Sequence, residues 1–437
     1  MLRNRAPRER LSRGEVLTVV GIAVGVVATT IFTLVATRRG ASKHDVADVK
    51  QPVSERRQDV GRVMEYLGSL PQAGPEVTVP LEKGRAAMAE RKWDDAAAFF
   101  EQAKTSATGT QLVALVNYKG LCRYHQAEYE QARSDFELTA RLADSLRDST
   151  GEAAALNNQA EALRLLGRYV EAEPLCKRAD EIREAKLGKE HLDVAQGLDN
   201  LAGLYYVQGK HAEAEPLFRR ALAIREAKLG RGHPDVVQSL NNLASLCQAQ
   251  ARYSEAEPLY TRALAIDEKA LGPGDTGVAT ALDNLASLYE AQRKYSEAEP
   301  LYKRALEIRT KAVGPGRPGV GTGLNNLARL YYSEGKLAEA DALLRRMLEM
   351  DEKALGPDDP AVASDLNNLA GLYCAQGKLA EADTVLRRAL AIWEKAPESE
   401  QPDMAAVLAN MARLYEKMGR VEDARKCAER AAAVRKK

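Results

Sequence analysis

The stretch "LDNLASLYEAQRKYSEAEPLYKRALEI", Leu282–Ile308, decides the fold, because it recurs. Its leucine at 282 is one of a series, Leu156, Leu198, Leu240, Leu282, Leu324, Leu366 and Leu408, each 42 residues from the next. Asn158, Asn200, Asn242, Asn284, Asn326, Asn368 and Asn410 keep the same register, as do the alanines from Ala160 to Ala412 and from Ala172 to Ala424. A globular domain has no need of such regularity, so the pattern specifies a repeat array.

Each unit reads as two helices. In "DVVQSLNNLASLCQAQ", Leu240, Leu243, Ala244 and Cys247 share one face, and in "SEAEPLYTRALAIDEKAL" so do Ala256, Leu259, Tyr260, Ala263 and Leu264. Ser254 with Glu257, and Ser296 with Glu299, match a capping box at the start of the second helix. Pro174, Pro216, Pro258 and Pro300 fall near that helix's first turn. One helix pair cannot bury its own apolar stripe, so neighbouring pairs must stack. Composition agrees: of 437 residues only 5% are aromatic, and Ala, Leu, Glu, Lys and Arg dominate.

These residues resemble the tetratricopeptide repeat (TPR), in the 42-residue form typical of kinesin light chains. The resemblance covers residues 155–437. Two looser units precede it within 80–154, around Trp93 and Ala96 and around Tyr129 and Ala132. The fold expected is all-α, a superhelical solenoid of about nine helix-turn-helix units. Kinesin light chains carry a heptad coiled coil before their repeats, and here a different segment stands in that place.

That segment is "VLTVVGIAVGVVATTIFTLVA", Val16–Ala36, which holds no charge. As a helix it would span about 30 Å, the thickness of a bilayer core. It is longer than a signal-peptide core, and "TLVATRR" lacks a clean small-x-small cleavage site. A basic tail (1–15), a single-pass anchor (16–36) and a polar linker (37–79) with a short helix near "RQDVGRVMEYLGSL" are therefore expected. Gly21 and Gly25 have the spacing of a helix-dimerisation motif. Arg3, Arg5, Arg8, Arg10 and Arg13 outnumber Arg38, Arg39 and Lys43, which favours repeats on the extracytoplasmic side. Five scattered cysteines, an odd number without a disulfide framework, point the other way; we follow the charge bias.

Chemical motifs dissolve into the repeat. Gly314–Gly323 contains five glycines before a helix, yet in register it is an inter-repeat connection, with no preceding strand and no Lys-Ser/Thr pair. It is expected to fray the helix entering the next unit, each glycine costing about 1 kcal/mol relative to alanine. His233-Pro234-Asp235 occupies the same connection, as proline at a first helical position. Cys122-x-x-His125 has no second pair for zinc. Ser333-x-x-Lys336 falls in a turn. We expect no enzyme, no cofactor and no metal. A net charge of +1 and no basic stripe argue against nucleic acid.

The resemblance implies a groove lined by the first helix of each unit, binding a protein or peptide partner. By it, Asn158, Asn200, Asn242, Asn284, Asn326, Asn368 and Asn410 face that groove, where an amide can donate to and accept from a ligand backbone; alternatively they bridge adjacent helices. Asp199 and Asp283 would make it mildly acidic early, and Arg329 and Arg413 basic late, with Tyr206 and Tyr332 adding aromatic contacts. Two functions follow: a membrane-anchored, non-catalytic interaction scaffold, or a chaperone-like holdase or assembly factor that engages many clients weakly.

Overall fold

The computed structural model describes residues 75–90, 92–107, 109–313, 318–395 and 401–436. Among them are eighteen α-helices and no strand, forming nine antiparallel pairs. The first helix of each pair is called A and the second B. The early pairs are α1 (Pro75–Ala89) with α2 (Trp93–Lys104), α3 (Thr110–His125) with α4 (Tyr129–Ser145), and α5 (Ser149–Leu165) with α6 (Tyr169–Leu187). Next come α7 (Leu192–Val207) with α8 (His211–Leu229), α9 (Pro234–Ala249) with α10 (Tyr253–Leu271), and α11 (Thr276–Ala291) with α12 (Tyr295–Val313). Last are α13 (Pro318–Glu334) with α14 (Leu337–Leu355), α15 (Pro360–Ala375) with α16 (Leu379–Lys395), and α17 (Gln401–Lys417) with α18 (Val421–Lys436). The chain divides into two compact units, one ending at Ile266 and one running from Asp267.

The alanine columns explain why each pair closes. In the earlier unit Ala96, Ala132, Ala172, Ala214 and Ala256 are all 0% exposed, each on a B helix where it meets its A helix. In the later unit Ala298, Ala340 and Ala382 repeat this. Larger side chains would hold the helices apart and cost about 1–3 kcal/mol in strain. Large apolar residues fill the space between pairs, Phe100, Tyr118 and Phe136 in the divergent pairs and Leu240, Leu243 and Leu246 in the regular ones. The last helix is different. It buries Ala424 and Ala431 and leaves Glu422, Arg425, Lys426, Glu429 and Arg430 exposed.

Local signals correct three expectations. The B helices start one residue before the serine of the supposed capping box, at Tyr253 and Tyr295, so Ser254 and Ser296 lie inside the first turn. Ser296 bonds its neighbour Glu297 instead, at 2.6 Å. The side chains of Arg168, Lys210 and Lys336, which precede B helices, make no capping bond to the helix backbone. The A-to-B corner is closed by backbone: Lys210 N–H donates to the Tyr205 carbonyl at 2.9 Å, and Arg252 N–H to that of Cys247 at 2.8 Å. Between them stands one residue with positive φ, usually glycine. Secondly, Pro174, Pro216, Pro258 and Pro300 lie in the second turn, inside the helix. Thirdly, α1 begins at Pro75, within the stretch read as a linker.

The side-chain caps belong to the A helices. His191 and His233 accept from the backbone N–H of Asp193 and Asp235 through Nδ1, and Asp275 and Asp359 cap α11 and α15 in the same way. Pro234 is the first residue of α9, so His-Pro-Asp is a helix start. Helix α13 begins at Pro318 and contains Gly319, Gly321 and Gly323. A Cβ on Gly323 would lie 2.9 Å from a Leu306 methyl and 3.3 Å from its Cα, so this glycine lets α13 approach α12.

No described helix is long and apolar enough to cross a membrane. Residues 16–36 with Gly21 and Gly25, the arginine-rich tail and residues 57–70 lie outside the described residues.

Candidate peptide-binding face

The A helices of the regular units are buried on most sides. Solvent reaches them mainly along one stripe with spacing i, i+4, i+7, i+11. In α11 it consists of Thr280, Asn284, Ser287 and Ala291, and in α15 of Ser364, Asn368, Gly371 and Ala375, although Asn368 itself is covered. In the earlier unit, α9 presents Asn242, Ser245 and Ala249 on this stripe. Small side chains leave room for another backbone to approach, and hydroxyls and amides offer it both donors and acceptors.

The asparagine ladder runs along this stripe, and the molecule itself uses part of it. Asn158 Nδ2 donates to Asn117 Oδ1 at 3.1 Å, and Asn200 Nδ2 to Asn157 Oδ1 at 2.7 Å. Asn242 donates to the Asp199 carboxylate. In the later unit Asn368 donates to Asn325 at 3.4 Å and Asn410 to Asn367 at 2.7 Å. These bonds link successive A helices, the bridging alternative. The carbonyl side of the amides is used differently: Asn200 Oδ1 accepts from Gln196 at 3.2 Å, and buried Asn368 Oδ1 has no partner. Asn284 is half-exposed on the stripe, whereas Asn326 is buried.

The charged candidates are tied down. Asp199 is 3% exposed and accepts from Arg225 of α8, which also donates to Ser239 and, at 3.2 Å, to Gln196. Burial pushes the Asp199 carboxyl up, and Arg225 draws it back. Asp283 is equally enclosed and bonds Arg309 of α12 at 2.6 Å. Neither brings negative charge to the stripe. Arg329 is half-buried and holds Tyr302 Oη at 2.8 Å and Glu290 at 2.9 Å, while Glu290 also accepts from Tyr302 at 3.0 Å and from Ser333 at 3.3 Å. Tyr206 is half-buried, its ring 5.4 Å from that of His211. Tyr332 is half-buried beside Cys374, and Arg413 donates to Asn410 Oδ1. Cys122 is a core thiol, pushed up to about 12 by burial, and His125 stacks on Trp93 at 4.4 Å.

Two features escaped sequence reasoning. One is Lys417, exposed at the last position of the α17 stripe, where other units have Ala249, Ala291 and Ala375. The other is a latch between units, made of an acid on one B helix and a tyrosine and a cation of the next unit. Glu173 accepts from Tyr205 at 3.0 Å and Lys210 at 3.3 Å; Glu299 accepts from Tyr331 at 3.0 Å and Lys336 at 3.4 Å; Asp383 accepts from Tyr415 at 2.7 Å. The signal was present in the same 42-residue register: acids at 173, 215, 257, 299, 341 and 383, and cations at 210, 252, 294, 336, 378 and 420.

This geometry defines an antiparallel helix-pair solenoid with a small, polar stripe on its A helices. The tetratricopeptide repeat model matches residues 151–227, 193–269, 235–311, 277–353, 319–388 and 361–437, and the chain belongs to that family. Among solved structures, a putative kinesin light chain with nearly identical TPR-like repeats from Podosopora anserina is 26% identical. It covers 46% of this chain and 95% of its own, with a TM-score of 0.42. BtubC (BKLC) from P. vanneervenii is 28% identical over 52% of this chain and 90% of its own, with a TM-score of 0.42. The apo form of RapI is 13% identical over 82% of this chain and 97% of its own, with a TM-score of 0.52, a likeness of fold. No curated protein matches the sequence.

Proposed function

We propose that this chain is a non-catalytic interaction scaffold that takes an extended protein segment along the A-helix stripe. The observation that carries the reading is the recurrence of small and polar residues at that one set of positions, above a ladder whose NH2 groups already hold the units in register. A floor of Ser, Thr, Ala and Gly with few charges favours contact with the ligand's backbone. Filling it should block binding: Gly371→Trp with Ala375→Trp would abolish capture of a peptide that the unchanged protein binds saturably, while the circular dichroism spectrum stays the same. Unchanged affinity in that variant would sink the reading. Asn284→Ala with Asn326→Ala should weaken binding more modestly.

The scaffold reading includes a tether. The uncharged run Val16–Ala36 between arginine clusters supports a single-pass anchor, with the charge bias placing the repeats outside the cytoplasm. Protease added to intact cells would then digest a C-terminally tagged chain; protection until lysis would reverse the orientation, and carbonate extraction of the whole chain would remove the anchor. The near-neutral floor also favours the holdase alternative, whose mark is suppression of aggregation for unrelated clients.

A further inference from the structure

The stripe of the later unit changes along its length. Over α11 it is neutral, and at α17 it carries Arg413 and Lys417. None of its positions on α11, α13, α15 or α17 is acidic. The third cation, Arg329, is compensated by Glu290 at 2.9 Å. Among the described residues Arg413 donates to the neutral Asn410 amide and has no carboxylate partner, exposed Lys417 has none either, and Glu416 on the same helix pairs with neither. Burial raises the Cys374 thiol of α15, and the nearby charges of Lys417 and Arg413 partly offset that rise, so both cations lie close to the neighbouring A helix. There Gly371 and Ala375 are exposed and leave the α15 surface open.

We propose that the segment bound by this unit is acidic where it crosses α17, its Asp or Glu side chains meeting Arg413 and Lys417 and a small or apolar residue lying over Gly371 and Ala375. The two cations stand four residues apart, about one helical turn of 5.4 Å. That spacing suits two carboxylate side chains better than a single chain terminus. Charge-assisted bonds at a partly desolvated site supply the selectivity.

The inference rests on the peptide-binding reading, and the test separates the two. The full chain, in detergent micelles, is applied to an array of twelve-residue peptides with blocked ends, built from Ser, Ala and Leu and differing in the number and position of Glu or Lys. We expect peptides with two Glu near one end to bind about tenfold better than neutral ones, equivalent to about 1.4 kcal/mol, and less so at high salt. Arg413→Glu with Lys417→Glu should shift the preference from Glu peptides to Lys peptides. Both positions reach solvent, and circular dichroism of the variant verifies its fold; Arg413→Gln with Lys417→Gln, which should merely abolish the Glu preference, gives a second variant. Binding of neutral and acidic peptides alike, or a Glu preference that survives charge reversal, overturns the acidic assignment alone. Absence of any peptide binding overturns the scaffold reading and this inference with it.

Discussion

Single residues show how strictly the repeat enforces its corners. The A-to-B turn requires positive φ, and Gly167, Gly209, Gly335, Gly377 and Gly419 supply it freely. Ala251 and Arg293 occupy the same column at φ 57° and 60°, where a Cβ costs about 1–2 kcal/mol. Ala251→Gly and Arg293→Gly should each therefore stabilise the chain by about 1 kcal/mol, less the extra entropy glycine gains when unfolded; urea titration would show it as a higher midpoint at constant slope. The opposite holds in α13. Gly323→Ala should destabilise, because its methyl meets Leu306, whereas Gly321→Ala, whose nearest neighbour is Met347 at 3.9 Å, should gain about 1 kcal/mol. The sequence read the glycines of Gly314–Gly323 as an inter-repeat connection, and periodicity alone does not separate a turn glycine from a packing glycine. That distinction depends on what stands opposite, and Leu306 lies on another helix.

At the scale of elements, the seams between pairs differ more than the repeat suggests. In the seam after α8, Arg225 locks Asp199 to Ser239. The corresponding positions after α14 hold Asp351 and Asp365, two carboxyls that share a hydrogen bond in a buried setting. Burial and the neighbouring Asp351 and Glu352 raise Asp365 well above the usual carboxylate range, and Asp359 adds to the charge bearing on Asp351. The folded state thus prefers Asp365 protonated. Below the ordinary carboxylate pKa both states are protonated and the pair costs nothing; as pH rises towards the raised folded value, the unfolded chain ionises first and stability is lost. Asp365→Asn should consequently stabilise by about 1–3 kcal/mol at pH 7 and by much less at pH 4, read from paired melts. A gain independent of pH would rule this out. The seam before it has its own weakness. Thr310 replaces the glutamate that pairs with an arginine of the next B helix elsewhere, as Glu226 does with Arg262 at 2.5 Å. With glycines opening α13, amides at 319–323 should exchange faster than those of Ala361–Asp365, and equal rates would defeat the soft-seam expectation.

For the molecule as a whole, the fold was legible because a 42-residue period states its architecture many times, so errors in one copy are corrected by the others. The nine pairs, the alanine contacts and the family all follow from that. The site was less legible. Periodicity identifies a column without saying what faces it: Asn158, Asn200, Asn242, Asn368 and Asn410, with Asp199 and Asp283, make contacts between helices. The latch was overlooked for a related reason: its acid, tyrosine and cation are spread over about 40 residues of sequence and meet only when pairs stack. Its energetics should be those of a one-dimensional array, in which each unit contacts its neighbours only. Lys336 and Arg420 belong to latches two units apart, with acids Glu299 and Asp383, and share no partner. Each side chain is about two-fifths exposed, so Lys336→Met or Arg420→Met should cost no more than about 1 kcal/mol. The double variant should equal the sum within about 0.5 kcal/mol. Coupling well beyond that, measured by a double-mutant cycle in urea, would mean that the latches act as one cooperative element and that the later unit does not behave as a nearest-neighbour stack.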